Sequence, residues 1–120
     1  MRKKKTPKQI LRSKADRRWY EICIKREPKC VICGKPAVQI HHFFPKGQHG
    51  YLRYNLDNGI SLCMGCHFRI HHCDGSLAGE IIKKKGMDWY NDLKAIAQEE
   101  HASFNNIGWI QAQLDKLNEQ

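Results

Sequence analysis

No run of 18 or more apolar residues occurs in this chain, so it offers no candidate transmembrane helix, and no membrane partner is expected. Its start also lacks a basic-then-apolar leader with a small-residue cleavage site, which leads us to expect an intracellular, cytoplasmic protein. Internal repeats, low-complexity tracts and interdomain linkers are missing, which argues for one domain over residues 1–120 with a single modest core. Acidic side chains are in short supply: 12 Asp and Glu stand against 21 Lys and Arg, a formal charge of +9. The field of such a chain attracts polyanions. DNA is the expected partner, with RNA as the alternative; one chain carries no signature of oligomeric state.

What the chain does have is concentrated between residues 30 and 73, CVICGKPAVQIHHFFPKGQHGYLRYNLDNGISLCMGCHFRIHHC, which holds five of the six cysteines and six of the seven histidines. With no leader to imply an oxidising compartment, the Cys-x-x-Cys spacing of Cys30/Cys33 and Cys63/Cys66 favours metal ligation over a disulfide framework. Each such turn lets two sulfurs converge on one ion, and four thiolates suit tetrahedral zinc. We therefore expect Cys30, Cys33, Cys63 and Cys66 to hold a structural zinc. Cys23 and Cys73 lie outside the pairs and read as buried small hydrophobes or idle thiols.

Residues 1–8, MRKKKTPK, read as a basic frayed tail that either solubilises the chain or touches backbone phosphates. No Gly or Pro interrupts residues 9 to about 26, and Ile10, Leu11, Trp19, Ile22 and Cys23 recur at helical spacing among many Arg and Lys. That predicts an N-terminal basic helix over 9–27, stopped by Pro28. Ala37–Phe44 and Gly59–Leu62 read as two antiparallel strands joined by a long loop, 45–58. Met64 to about Cys73 reads as a helix that puts His67 and His71 on one face. Asp74 and Gly75 end it, and Ser76 is a candidate cap for a short helix to Lys85, broken by Gly86. Two amphipathic helices follow, with Trp89, Leu93, Ile96 and Ala97, then Ile107, Ile110, Leu114 and Leu117, facing inward. The C-terminal helices thus occupy 76–118. Trp89, Tyr90 and Trp109 are expected to be core rather than base-stacking residues.

A closed four-cysteine site has no need of histidine, yet His41-His42 on one strand and His67 and His71 on the following helix are placed to meet. The whole pattern runs Cys-x-x-Cys, His41-His42, Asn58 five residues before Cys63, then Cys66-His67 with His71 a turn later. It resembles the HNH nuclease family over residues 30–73. The resemblance implies an α+β protein with a small ββα-metal (His-Me finger) core braced by the zinc site. It implies an endonuclease that hydrolyses phosphodiester bonds to leave 5′-phosphate and 3′-hydroxyl ends.

The roles it implies are these. His42 matches the general base, and an imidazole suits that task near neutral pH. Asn58 matches the asparagine that braces the loop and orients the base. His41 and His67 match ligands of a catalytic divalent cation, and His71 matches a further ligand found in the subset that includes nuclease colicins. No carboxylate stands among these residues, so magnesium has no preferred partner, and Mn, Ni, Co or Zn should serve as well as Mg. Lys46, Arg53 and Arg69 are placed for backbone phosphates. Nothing resembles a base-reading helix, so sequence preference should be low. The stretch from Ser76 to Ala97 faintly resembles the C-terminal part of lambdoid phage recombination nucleases, which would fit recombination, packaging or breakdown of DNA by a phage or prophage protein. The competing reading is a zinc-stabilised nucleic-acid-binding module without catalysis. His42 and Asn58 separate the two, because binding alone needs neither a base nor its orienting amide.

Overall fold

A computed structural model describes residues 3–72 and 75–120; the readings placed on Cys73 and Asp74 fall outside the described residues. The described residues are α+β, with five helices and one two-stranded sheet among them: α1 (Pro7–Arg26), β1 (Gln39–His42), β2 (Gly59–Leu62), α2 (Met64–His71), α3 (Ser76–Lys85), α4 (Met87–Gln98) and α5 (Ile107–Asn118). β1 and β2 pair antiparallel with Gln39 opposite Leu62 and His42 opposite Gly59.

α1 starts two residues earlier than its apolar periodicity indicates. Thr6 accepts a hydrogen bond from the Gln9 amide while the Gln9 side chain returns to the Thr6 amide, and Pro7 occupies the first turn. This reciprocal cap satisfies two otherwise orphaned donors, so the non-helical arm is shorter than the frayed tail expected over 1–8. At α3, Gly75 rather than Ser76 takes the N-cap position. The long 45–58 loop is partly ordered by two 3-10 turns, Gly50–Leu52 and Leu56–Asn58.

Two cores hold these elements. In the first, Ala15, Trp19, Ile22 and Cys23 of α1 pack with Tyr54 and with Ile110 and Leu117 of α5. The second surrounds the cysteines with Ile60 and Leu62 of β2 and Ile81 of α3. Leu93 is buried in α4, and Trp89, Tyr90 and Trp109 are half-buried. Two residues expected to face inward do not: Ile10 is 45% exposed and Ile107 52%. Each sits in the first turn of its helix.

Gly59 is where α1 meets the sheet. A Cβ there would stand 2.6 Å from Cys23 Sγ, 2.9 Å from Trp19 Cζ2 and 3.1 Å from Ile40 Cγ2. All three neighbours belong to a filled core, so none can yield without disturbing others. Gly59→Ala should therefore destabilise the fold by about 1–3 kcal/mol. A thermal melt reads this as a lower midpoint, and an unchanged midpoint would show that α1 does not press on β2.

Candidate functional site

Two clusters emerge, both drawing side chains from α2 and its N-cap. The first is the cysteine cluster. The ligand sulfurs of Cys30, Cys33, Cys63 and Cys66 all lie within 4.8 Å of one another. Cys33 Sγ and Cys63 Sγ are 3.4 Å apart, near the roughly 3.8 Å edge expected of a tetrahedron built on zinc–sulfur bonds of about 2.3 Å. The backbone prepares this geometry. Gly34, at φ 77°, turns the chain directly after Cys33, and the Gly34 amide donates to Cys30 O at 2.9 Å. Cys63 caps α2, its sulfur accepting from the Cys66 amide at 3.4 Å.

The four thiols are shifted in opposite directions. Burial pushes the Cys30 thiol up, but backbone hydrogen bonds at Cys33, Cys63 and Ile32 outweigh it and its pKa falls to about 6. The Cys66 amide holds Cys63 low as well. Burial and the neighbouring Cys63 sulfur push Cys66 up to about 12, and Cys33 is also raised, a Lys35 backbone hydrogen bond being outweighed by Cys63 and burial. Thiolates are the ligating form, and it is the convergence of the four sulfurs that lets them hold a metal ion such as zinc. Cys23 stands apart from the cluster. Burial raises it to about 12, as befits a packed thiol whose nearest polar partner is Leu56 O at 3.9 Å.

The second cluster gathers histidines. Adjacent residues on a strand point to opposite faces, so His41 and His42 part company. His41 turns towards α2, its ring edge-on to His71 with centroids 6.4 Å apart. On α2 itself, His67 Nε2 and His71 Nε2 are 2.9 Å apart. Two nitrogens bound at about 2.1 Å to one ion stand roughly 3.0 to 3.4 Å from each other, so this pair fits shared ligation. His41 is farther out: among the described residues, the cysteines alone form a group of three or more candidate ligands within 4.8 Å. Burial, with the neighbouring His71, His42 and His67 adding to it, lowers His41 from its ordinary 6.5 to about 4. Burial likewise lowers His67. Both imidazoles are thus neutral, with a lone pair to donate, at neutral pH.

His42 lies on the other face, stacked on Trp19 with ring centroids 4.1 Å apart and an angle of 10°. Its Nε2 is 2.9 Å from Arg53 O. A carbonyl only accepts, so Nε2 carries the proton and the neutral ring presents its lone pair at Nδ1. Burial lowers the pKa of His42, opposed by the Arg53 carbonyl and assisted by the Lys46 and Arg53 charges.

Asn58 fixes the loop from which that carbonyl comes. It is 0% exposed. Its Oδ1 accepts from the Phe44 amide at 2.8 Å, and its Nδ2 donates to Phe44 O at 3.1 Å and Leu52 O at 3.3 Å. The side chain thereby ties the end of β1 to the residue before Arg53.

The three cations have different surroundings. Arg53 is held by Asp16 of α1, Nε to Oδ1 at 2.9 Å and Nη2 to Oδ2 at 2.7 Å, and its side chain is 17% exposed. Its guanidinium therefore fastens the loop to α1. Lys46 is exposed in the loop, and Arg69 on α2 stands 3.8 Å from Glu80. Sequence reasoning missed Asp16 and placed Trp19 only in the core. The two residues lie three apart on α1, and together with Trp19 Nε1 donating to Asn55 O at 2.9 Å they seat the loop and the His42 ring on one helix.

No family model matches the chain, and no solved structure matches it. Part of it is similar to a mitochondrial DNA mismatch repair protein mutS homolog from Sarcophyton glaucum, 36% identical over 69 residues. The match takes in 50% of this chain and 7% of that protein, so the chain spans only a small fraction of the relative's length.

Proposed function

We propose that this chain is a metal-dependent DNA endonuclease of the HNH type, in which β1, β2 and α2 form a ββα-metal core and the four cysteines hold a structural zinc. The observation that carries this reading is the seating of His42: a half-buried, neutral imidazole whose proton is committed to the Arg53 carbonyl, leaving Nδ1 as the basic nitrogen. A module that only binds nucleic acid has no use for that arrangement, or for a buried asparagine with three hydrogen bonds maintaining it. The similarity to part of a DNA mismatch repair protein is in keeping with DNA as the partner.

In this reading His42 Nδ1 takes a proton from water as the water oxygen bonds to phosphorus and the P–O3′ bond breaks in line. The 3′ oxygen leaves with the bonding pair and takes a proton from solvent water, and His42 returns its own to solvent. The Arg53 carbonyl holds the ring in the correct tautomer and favours the imidazolium that forms. His67 and His71, with His41 beside them, would hold a divalent cation, which would supply neutralisation of negative charge on the phosphate and the leaving oxygen. Asn58, Asp16 and Trp19 position these groups without touching the substrate. With three imidazoles and no carboxylate in the set, Mn, Ni, Co or Zn should support cleavage at least as well as Mg. A small basic nuclease of low sequence preference fits DNA recombination, packaging or degradation in a phage or prophage setting.

A pH–rate profile on a 5′-labelled duplex tests this reading. The base must be unprotonated, and its pKa lies below the ordinary 6.5. Activity should hence be full at pH 7 and fall as pH drops through a midpoint below 6.5, with products carrying 5′-phosphate and 3′-hydroxyl ends. A profile still rising above pH 7.5 or so, or 3′-phosphate products, would count against His42 as base. Clearly better cleavage with Mg than with Mn or Ni across a titration would count against the imidazole cation site.

A further inference from the structure

We propose that the N-terminal arm and the first turns of α1 form a docking cleft for the DNA backbone that leads into the His42 site. An open cleft of about 540 Å³ is lined by Lys3, Lys4, Lys5, Arg12, Asp16 and Arg53, among others. Five cations thus face one carboxylate, a net of +4. The carboxylate is already spent on Arg53, at 2.9 and 2.7 Å, so the charge of the other four cations has no acidic partner within the cleft.

The arrangement is more than a run of surface lysines. Arg12 is anchored through Nη2 to Asn105 Oδ1 at 3.2 Å, yet its Nε is buried with no hydrogen-bond partner among the described residues. Arg12 also lines the cleft, where a guanidinium fork suits two oxygens of a phosphate. The Thr6/Gln9 cap, by starting α1 at Pro7, holds Lys3, Lys4 and Lys5 beside the helix instead of leaving them on a longer loose tail.

Position ties the cleft to the chemistry. Arg12, Asp16 and Trp19 are spaced i, i+4, i+7 on one stripe of α1, and Trp19 stacks on His42. At 1.5 Å rise per residue, Arg12 is about 10 Å along the axis from Trp19. A DNA strand advances 3.4 Å per nucleotide, so the cleft would engage phosphates roughly three nucleotides from the one beside His42. That register rests on the nuclease reading; the binding itself does not.

The test is fluorescence anisotropy of a short labelled DNA duplex with the zinc-loaded full chain, in buffer without further divalent cation, across a salt titration. Lys3→Gln/Lys4→Gln/Lys5→Gln lies outside every helix and should leave the circular dichroism unchanged. It should weaken binding about tenfold or more at about 0.1 M salt and make the log K against log salt slope shallower by roughly 2 to 3. Arg12→Gln should weaken it further. The control Lys83→Gln/Lys84→Gln/Lys116→Gln removes the same charge from exposed positions outside the cleft and should change binding far less. An unchanged slope in the arm variant, an equal loss in the control, or tighter arm-dependent binding to duplex RNA than to DNA would overturn the proposal. A wild type that binds with this arm dependence but cleaves nothing in any metal would sink the nuclease reading and keep the cleft; cleavage with arm-independent binding would do the reverse.

Discussion

His42→Ala should reduce DNA cleavage about a hundredfold or more under single-turnover conditions, because proton transfer by a positioned side chain contributes at least that factor. The fold should survive: His42 is half-buried and its main contact is the flat face of Trp19, which stays anchored through its indole N–H to Asn55 O. His42→Gln separates chemistry from support. Its amide nitrogen takes the place of Nε2 and can still donate to the Arg53 carbonyl, but it has no basic nitrogen, so it should be as inactive as the alanine variant while melting closer to the wild type. Recovery of activity in His42→Gln would mean that His42 only props the loop. Asn58→Ala makes a contrast, since it would strand the Phe44 amide and the Phe44 and Leu52 carbonyls in a buried site. Each stranded group costs about 1–3 kcal/mol, so stability and activity should fall together there.

The second large effect concerns the cysteines. Cys30, Cys63 and Cys66 are buried in the core with Ile60, Leu62 and Ile81, so the cluster is part of the interior of that half of the chain. Structural zinc binding is worth on the order of 10–16 kcal/mol in small metal-folded peptides, against about 5–15 kcal/mol for the whole stability of a typical domain. Cys66→Ser, or prolonged exposure to a strong chelator, should therefore unfold this half of the molecule. Circular dichroism should lose helical signal on chelation and regain it on adding zinc, and elemental analysis should find one zinc per chain in the wild type. Cys23→Ala should keep the zinc, since that thiol packs against α1's neighbours rather than the cluster. Helical signal indifferent to chelation would remove zinc from the account of the fold.

Much of this could be read before any coordinates. The two Cys-x-x-Cys pairs converge as their spacing implies, and the i, i+4 relation of His67 and His71 brings their nitrogens to 2.9 Å. Period-2 alternation explains why His41 and His42, though adjacent, serve different faces. What stayed hidden depends on contacts across long sequence separations. Arg53 read as a phosphate contact, yet its guanidinium is clasped by Asp16, 37 residues away, a pairing that no local pattern announces. Trp19 fell on the apolar stripe of α1 and looked like core; it is core, and it is also the platform for His42. Periodicity likewise marks the faces of α1 and α5 but not how far along each face stays covered, and Ile10 and Ile107, in the first turns, emerge into solvent. The capping box at Thr6 and Gln9 was legible in principle, since the residue types and spacing are those of a helix start, but the run of lysines before it resembles a tail.

The central claim is that the thiolates hold the fold while His42, set against a cation bound by His41, His67 and His71, cuts the phosphodiester backbone. Supercoiled plasmid incubated with zinc-loaded protein of verified circular dichroism, with and without added Mn, Ni, Co, Zn or Mg, tests it most directly. The account predicts nicking that depends on the added cation and disappears in His42→Ala. A folded, zinc-loaded protein that nicks plasmid in none of these metals, or a His42→Ala variant that nicks as fast as the wild type, would contradict it.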